Sequence, residues 1–398
     1  MTGGTNMGDI AGNVGLAVNS ARERETEKII RAAIRSIPGI GSGRLRQIIA
    51  YFGSALAAWQ APREAWRHFG DPVSGEVFWR HRGKVDPEAV GEDLHRQEIG
   101  LVMPGEEAYP VLLGELADAP PLLYYRGHRW SGGEALAIVG SRRATAYGKS
   151  AANYIAREVA QRGVVIVSGL ARGIDTAAHQ GALAGDGVTW AFLGCGLDTV
   201  YPAENKRLAA QITERGALFS EFIPGTPPEP GNFPARNRLI SGSSRGVVVV
   251  EAAQRSGALI TVDFALEQGR EVFAVPGPIF SELSRGPHNL LRMGAKIVEQ
   301  VDDIWAEIGI WSSSKTAGEA AVGEVRGENA FTLPEAAGSA THGPILELLS
   351  DVPLHIDRIV LACPLEASAV ALGLLELELE GKILQLPGQH YVLARQSS

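Results

Sequence analysis

Ala135-Leu136-Ala137-Ile138-Val139-Gly140-Ser141-Arg142 is the stretch that decides the fold. Five apolar residues run without alternation into a glycine and a small hydroxyl residue. An unbroken apolar run marks a strand covered on both faces. Glycine at its carboxyl end marks the place where an α/β sheet turns into a helix and meets ligands. The pattern repeats along the chain. Residues 164–167 lead into Ser168-Gly169, Thr189–Leu193 into Gly194-Cys195-Gly196, and 247–250 into Glu251 and then Ser256-Gly257. Residues 217–219 and 271–275 are further strand-like runs, and helical stretches at 145–161, 204–215 and 258–268 lie between. This alternation predicts an α/β fold: a Rossmann-like, doubly wound, mostly parallel sheet over residues 101–310.

The flanks have a different character. Residues 1–20 are rich in Gly and Asn and are expected to be a disordered tail. Residues 21–100 read as a domain of short helices. Within it, Ile37-Pro38-Gly39-Ile40-Gly41 forms a tight turn of helix-hairpin-helix type, which either offers amides to a phosphate or only packs. Residues 311–340, rich in Ser, Ala, Gly and Glu, read as a linker. Residues 341–398 hold three short helical patterns and a hairpin turning near Pro387-Gly388, the order of a winged helix.

Composition narrows the function. A chain of 398 residues, 45% hydrophobic and 21% charged, suggests two or three domains with a normal core. Its two cysteines, Cys195 and Cys363, are far apart, which excludes a disulfide scaffold and a cysteine-rich zinc site and fits a cytoplasmic protein. No apolar run approaches the roughly 18 residues of a membrane helix, and no secretory signal is visible in residues 1–20. The formal net charge of −8 excludes a globally basic nucleic-acid binder. It leaves room for a local one. Between 135 and 179, Arg142, Arg143, Lys149, Arg157, Arg162 and Arg172 face only Glu158 and Asp175.

Three turns at strand ends are expected to form a phosphate-binding row: Gly140-Ser141-Arg142, Ser168-Gly169 through Arg172-Gly173, and Ser256-Gly257. Helix-start amides favour an anion there, and Arg142 adds a bidentate donor. Gly148-Lys149-Ser150 imitates the end of a Walker A loop, but Arg143 stands where its first glycine belongs. Asp175 and His179, four apart, share a helical face. They form an acid–base pair, a partial metal site, or a helix start beside a packed or phosphate-facing histidine. Phe233, Arg236, Asn237 and Arg238 suit a single nucleic-acid strand, arginines for phosphates and an aromatic face for a base, unless a helix begun by Pro234 merely exposes the arginines. Tyr147 either stacks or packs, and Lys206 adds a cation on the loop after Tyr201-Pro202.

Taken together, these residues resemble the DNA-processing protein A family (DprA, also called Smf). The likeness rests on Gly140-Ser141-Arg142 with Tyr147-Gly148, and on Ser168-Gly169-x-Ala171-x-Gly173-Ile174-Asp175 with Ala178-His179. It extends through Gly194 to Asp198, Tyr201-Pro202, Phe233-Pro234-x-Arg236-Asn237-Arg238, Glu251-Ala252, Ser256 to Thr261 and Pro276-Gly277. The resemblance implies a single-stranded DNA-binding domain that self-associates as a homodimer. It implies a role in bacterial natural transformation, protecting incoming strands and helping to load the recombinase RecA, without catalytic turnover, cofactor or metal. By carry-over the DNA contacts are Arg142, Lys206, Phe233, Arg236 and Arg238, around the turns at Gly140, Gly169 and Gly257. Glu221 and Glu229 lie close in sequence and would weaken the field. The competing expectation is a nucleotide-processing hydrolase of the lysine-decarboxylase-like type, but the glutamates such a site needs do not follow Ser256 to Thr261. The last helix pattern, 366–380, holds Glu366, Glu376, Glu378 and Glu380 and no cation, so the winged helix is expected to bind protein or pack within an assembly rather than to bind DNA.

Overall fold

The computed structural model describes residues 7–70, 72–128 and 133–308 and most of 342–393, with side chains from residue 21 onward. Nine strands form one sheet: β1 (Gly100–Val102), β2 (Leu123–Gly127), β3 (Ala135–Val139), β4 (Val165–Ser168), β5 (Thr189–Leu193), β6 (Ala217–Ser220), β7 (Gly246–Val249), β8 (Glu271–Ala274) and β9 (Lys296–Ile297). Their order is β1-β2-β6-β5-β4-β3-β7-β8-β9. From β6 to β9 every pairing is parallel, whereas β2 runs antiparallel to both β1 and β6. The sheet is thus mostly parallel, with an antiparallel extension along one edge.

The apolar runs exist because both faces are covered. Ala135, Ala137 and Val139 of β3 pack on one side with Leu239, Ile240, Val262 and Ala265 from helices Asn232–Gly242 and Gly257–Glu267. Leu136 and Ile138 pack on the other with Ala152, Ile155, Val159, Ile174 and Ala178 from helices Ala146–Gln161 and Ile174–Ala184. Neighbouring strand residues therefore meet different helices, and neither can be polar. The order in which the chain adds strands reverses at β3, which has β4 on one side and β7 on the other. That switch point opens a crevice beyond the carboxyl ends of the strands.

The amino-terminal helices are not separate from this body. Ala32 and Leu94 join Tyr124, Leu193, Leu208 and Ile212 in one core. Arg31 donates to the Pro121 carbonyl at 2.7 Å and Arg35 to the Glu221 carbonyl at 3.1 Å. The described residues up to 308 make one compact unit and those from 342 onward a second. The first helix, Met7–Arg35, begins inside the stretch expected to be a tail. In the hairpin turn Ile37 and Ile40 are buried, and the carbonyls of Ile40 and Gly39 accept from Arg35 and Arg44.

The second unit has helices His342–Leu346, Ile356–Ala362 and Ala367–Leu379 around a three-stranded sheet of β10 (Leu354–His355), β12 (His390–Leu393) and β11 (Ile383–Leu386), in that order. It is the winged-helix arrangement. The linker at 311–340 and the turn at Pro387-Gly388 lie outside the described residues. Among the described residues no helix is long and apolar enough to cross a membrane.

Candidate nucleic-acid interface

The turns at the crevice are knitted to one another. The Ser141 N–H donates to the Glu251 carbonyl at 2.6 Å, and the Ile174 N–H to the Ser141 carbonyl at 3.2 Å. Buried Asp175 accepts from the amides of Gly169 at 3.1 Å and Ala171 at 3.4 Å. Gly173, at φ +77°, is required because a Cβ there would strike the Ser141 carbonyl. His179 Nε2 accepts from the Leu170 N–H at 3.3 Å. Thr189 gives its hydroxyl hydrogen to the Ile166 carbonyl, so its 2.7 Å contact with His179 Nδ1 runs from the ring N–H to the hydroxyl. The imidazole is therefore neutral, and burial, aided by Arg236, pushes its pKa down to about 3. These observations correct the expected row of phosphate-binding amides. Several of those N–H groups are already committed inside the protein, and Asp175 with His179 forms a structural brace.

Glu251 holds the start of helix Ala146–Gln161. Its carboxylate accepts from the Thr145 N–H at 2.8 Å and the Thr145 hydroxyl at 2.5 Å, while Thr145 Oγ1 accepts from the Gly148 N–H at 3.1 Å. A carboxylate beside a helix amino terminus is electrostatically favourable.

Arg236 is buried. Its Nη1 donates to the Gly169 carbonyl at 2.7 Å and also to the Phe192 carbonyl, and Nε donates to Asn237 Oδ1 at 3.2 Å. The residue thus ties the ends of β4 and β5 to helix Asn232–Gly242. Burial lowers its pKa to about 10, against the pull of Asp175, so it stays cationic at neutral pH. It also lines a cavity of about 850 Å³ at the switch point, together with Gly140, Ser141, Arg142, Phe233 and Gly257. Exposed Arg142 lies over the Phe233 ring, 5.1 Å from its centroid, and Tyr201 lies 5.6 Å from the same ring. Among the described residues Arg142 has no ion-pair partner. Exposed Tyr201 offers ring surface for a base, and the Arg142 guanidinium over Phe233 offers a donor fork for phosphate.

Other expected site residues are placed elsewhere. Arg236 and Arg238 are two apart on a helix, roughly 200° around its axis, so they diverge. Arg238 grips both Glu221 carboxylate oxygens at 2.7 Å and reaches Asp118 at 3.2 Å, and its side chain is 15% exposed. It does not line the cavity. Tyr147 donates its hydroxyl to the Pro276 carbonyl at 2.9 Å. Ser168 is buried and donates to the Ile138 carbonyl at 2.7 Å. Ser256 caps helix Gly257–Glu267, accepting from Ala258, and Asn237 donates to the Gly257 carbonyl at 3.2 Å. Arg172 makes a two-armed ion pair with Glu204. Lys206 is exposed at the start of helix Lys206–Arg215, away from the cavity lining. Sequence reasoning left Arg143 and Tyr201, which also line the cavity, out of the site. The charge count over 135–179 pointed at the first. The second stood in a loop whose aromatic partner lay 32 positions away.

Comparison with known proteins agrees with this architecture. The family model for DNA recombination-mediator protein A matches residues 100–309, and the model for the DprA winged helix domain matches residues 329–389. The chain is 33% identical over 393 residues to Protein Smf of Synechocystis sp., covering 92% of this chain and 98% of that one. It is 46% identical over 232 residues to DNA processing protein DprA of Streptococcus pneumoniae, covering 58% and 81%. The crystal structure of DprA from Streptococcus pneumoniae superposes with a TM-score of 0.63 at 35% identity, covering 72% of this chain and 98% of that one. A sheet ending in these turns, a winged helix after it in the chain and likeness along nearly the whole chain place this protein in the DprA/Smf family of DNA recombination mediators.

Proposed function

We propose that the chain binds single-stranded DNA across the switch-point cavity and acts as a non-catalytic mediator that helps load RecA during transformation. The observation that carries this reading is Arg142. It is an exposed cation without a carboxylate partner among the described residues, lying over the Phe233 ring and facing a cavity that also holds Arg236 and Asn237. Phosphates go to the guanidinium and a base to the exposed ring of Tyr201 beside Phe233. A duplex keeps its base faces stacked on one another, so the aromatic contacts favour single strands. The acid–base candidate Asp175–His179 is buried and internally bonded, so it gives the hydrolase alternative no support. A homodimer belongs to the same reading. Ile279, Phe280 and Met293 are 78%, 95% and 77% exposed beside helix Arg285–Arg292, and pairing two copies would cover them.

Fluorescence anisotropy of a labelled oligonucleotide, with the matched duplex as competitor, tests the proposal. Salt-sensitive binding that the duplex does not displace is expected. Equal displacement by duplex and single strand would overturn strand selectivity. Acceleration of RecA filament assembly on strands already coated by a single-strand-binding protein tests the loading step.

A further inference from the structure

Beside the switch-point cavity lies a second one, of about 690 Å³, between helices Ala146–Gln161 and Ile174–Ala184. Its wall is basic: Arg142, Lys149, Arg157 and Arg172 line it, with Glu204 the one carboxylate among its lining residues. Arg142 lines both cavities, so the two meet at its side chain.

The helical register explains the wall. Lys149, Asn153 and Arg157 are spaced four apart, and Ser150 and Tyr154 repeat that spacing one position on, so a single stripe of helix Ala146–Gln161 carries cations, amide, hydroxyl and aromatic ring. Across the groove, the Asn205 amide is buried and donates to the Leu170 carbonyl and to Thr176 Oγ1, each at 2.9 Å. The Asn205 side chain is thus committed within the protein, and the cations belong to the wall. Lys149 is exposed and has no ion-pair partner among the described residues. Among the described residues Arg157 is ion-paired only with its chain neighbour Glu158, at 3.2 Å. The side chains of Arg172 and Glu204 are 56% and 53% exposed, so solvent and a competing phosphate both reach that pair. Tyr154 is 49% exposed on the solvent face of this helix. An interleaved row of cations and an unburied ring suits a flexible polyanion with aromatic bases.

We infer that this groove is a second lane for the same strand. After passing Arg142, single-stranded nucleic acid continues along helix Ala146–Gln161, its phosphates on Lys149, Arg157 and Arg172 and a base on Tyr154. The inference rests on the proposed single-strand binding at the switch point. From Lys149 to Arg157 the helix rises roughly 12 Å. That is room for a short run of nucleotides beyond those in the first cavity. The lane makes affinity depend on strand length, because a short oligonucleotide fills the first cavity alone.

The test compares labelled oligothymidylates of about 6 and about 20 nucleotides, which bracket one and two lanes, on the full chain. The Lys149→Ala/Arg157→Ala variant is expected to bind the short strand as the wild type does. It should lose about tenfold on the long strand, with a salt slope shallower by about 1.4, the share of two phosphate contacts on single strands. Tyr154→Ala, which removes no charge, should lose about tenfold on the long strand with its slope unchanged. All three side chains are exposed, so the fold tolerates their removal. Unchanged affinity for the long strand, or equal losses on both lengths, would overturn the second lane while leaving the first cavity standing. Wild type that holds neither strand would overturn the underlying reading and the lane with it.

Discussion

Two arginines two residues apart have opposite jobs here. Arg236 and Arg142 face the cavity, whereas Arg238 is consumed by Glu221 and Asp118. Arg238→Ala is therefore expected to cost about 3 kcal/mol of stability, because it strands a largely buried carboxylate. Urea denaturation should show that loss while the salt slope of DNA binding stays put; a shallower slope at unchanged stability would put Arg238 on the DNA instead. His179 carries a pH signature. Its folded-state pKa lies near 3, below the usual 6.5, so the unfolded chain binds the extra proton between those values. Stability from this group is complete above pH 6.5 and is lost as the pH falls toward 3. His179→Gln should remove up to one proton from that linkage, a slope change of about 1.4 kcal/mol per pH unit. Identical pH profiles for the two proteins would contradict the neutral buried imidazole.

At the scale of elements, the parallel strands were legible because burial on both faces writes itself as an unbroken apolar run. Strands β3 and β5 have the predicted bounds, and β4, β6, β7 and β8 differ by a residue at their ends. The edges were not legible in the same way. In β2, Leu123-Tyr124-Tyr125-Arg126-Gly127 mixes a cation and a glycine into the strand, and β9 is two exposed residues. Within the site, glycine turns announced the crevice but not which amides were free, since the partners that bind them come from residues up to 110 positions away. Burial of an arginine has no sequence signal at all. Glu251 is another case: a carboxylate after four valines imitates a nucleotide-binding strand, yet it serves as a helix cap. Glu251→Ala should cost about 2 kcal/mol by leaving the Thr145 donors without their acceptor. It should also weaken DNA binding, because the same turn carries Arg142. Thermal unfolding with wild-type midpoint would show that the cap holds nothing.

For the whole molecule, the two compact units divide the charge unevenly. The second carries Glu376, Glu378 and Glu380 at the end of its longest helix, with His342 2.9 Å from Glu376 and Lys382 2.8 Å from Glu380. Phosphates would meet a repulsive face there. Removing residues 341–398 should leave single-strand affinity and its salt slope unchanged, measured on the truncated chain beside the full one. A large loss would assign DNA contacts to the winged helix. The amino-terminal helices behave differently, because Arg31, Arg35 and the shared core tie them to the sheet. What reads in sequence as a separate domain is part of one folded body.

The central claim is that Arg142, exposed over the Phe233 ring at the switch point, holds a phosphate of a single strand. The salt dependence of single-strand affinity for wild type and Arg142→Ala tests it most directly. Loss of one contact predicts a slope shallower by about 0.7 with unfolding unaffected. An unchanged slope and affinity at every salt concentration would contradict the account.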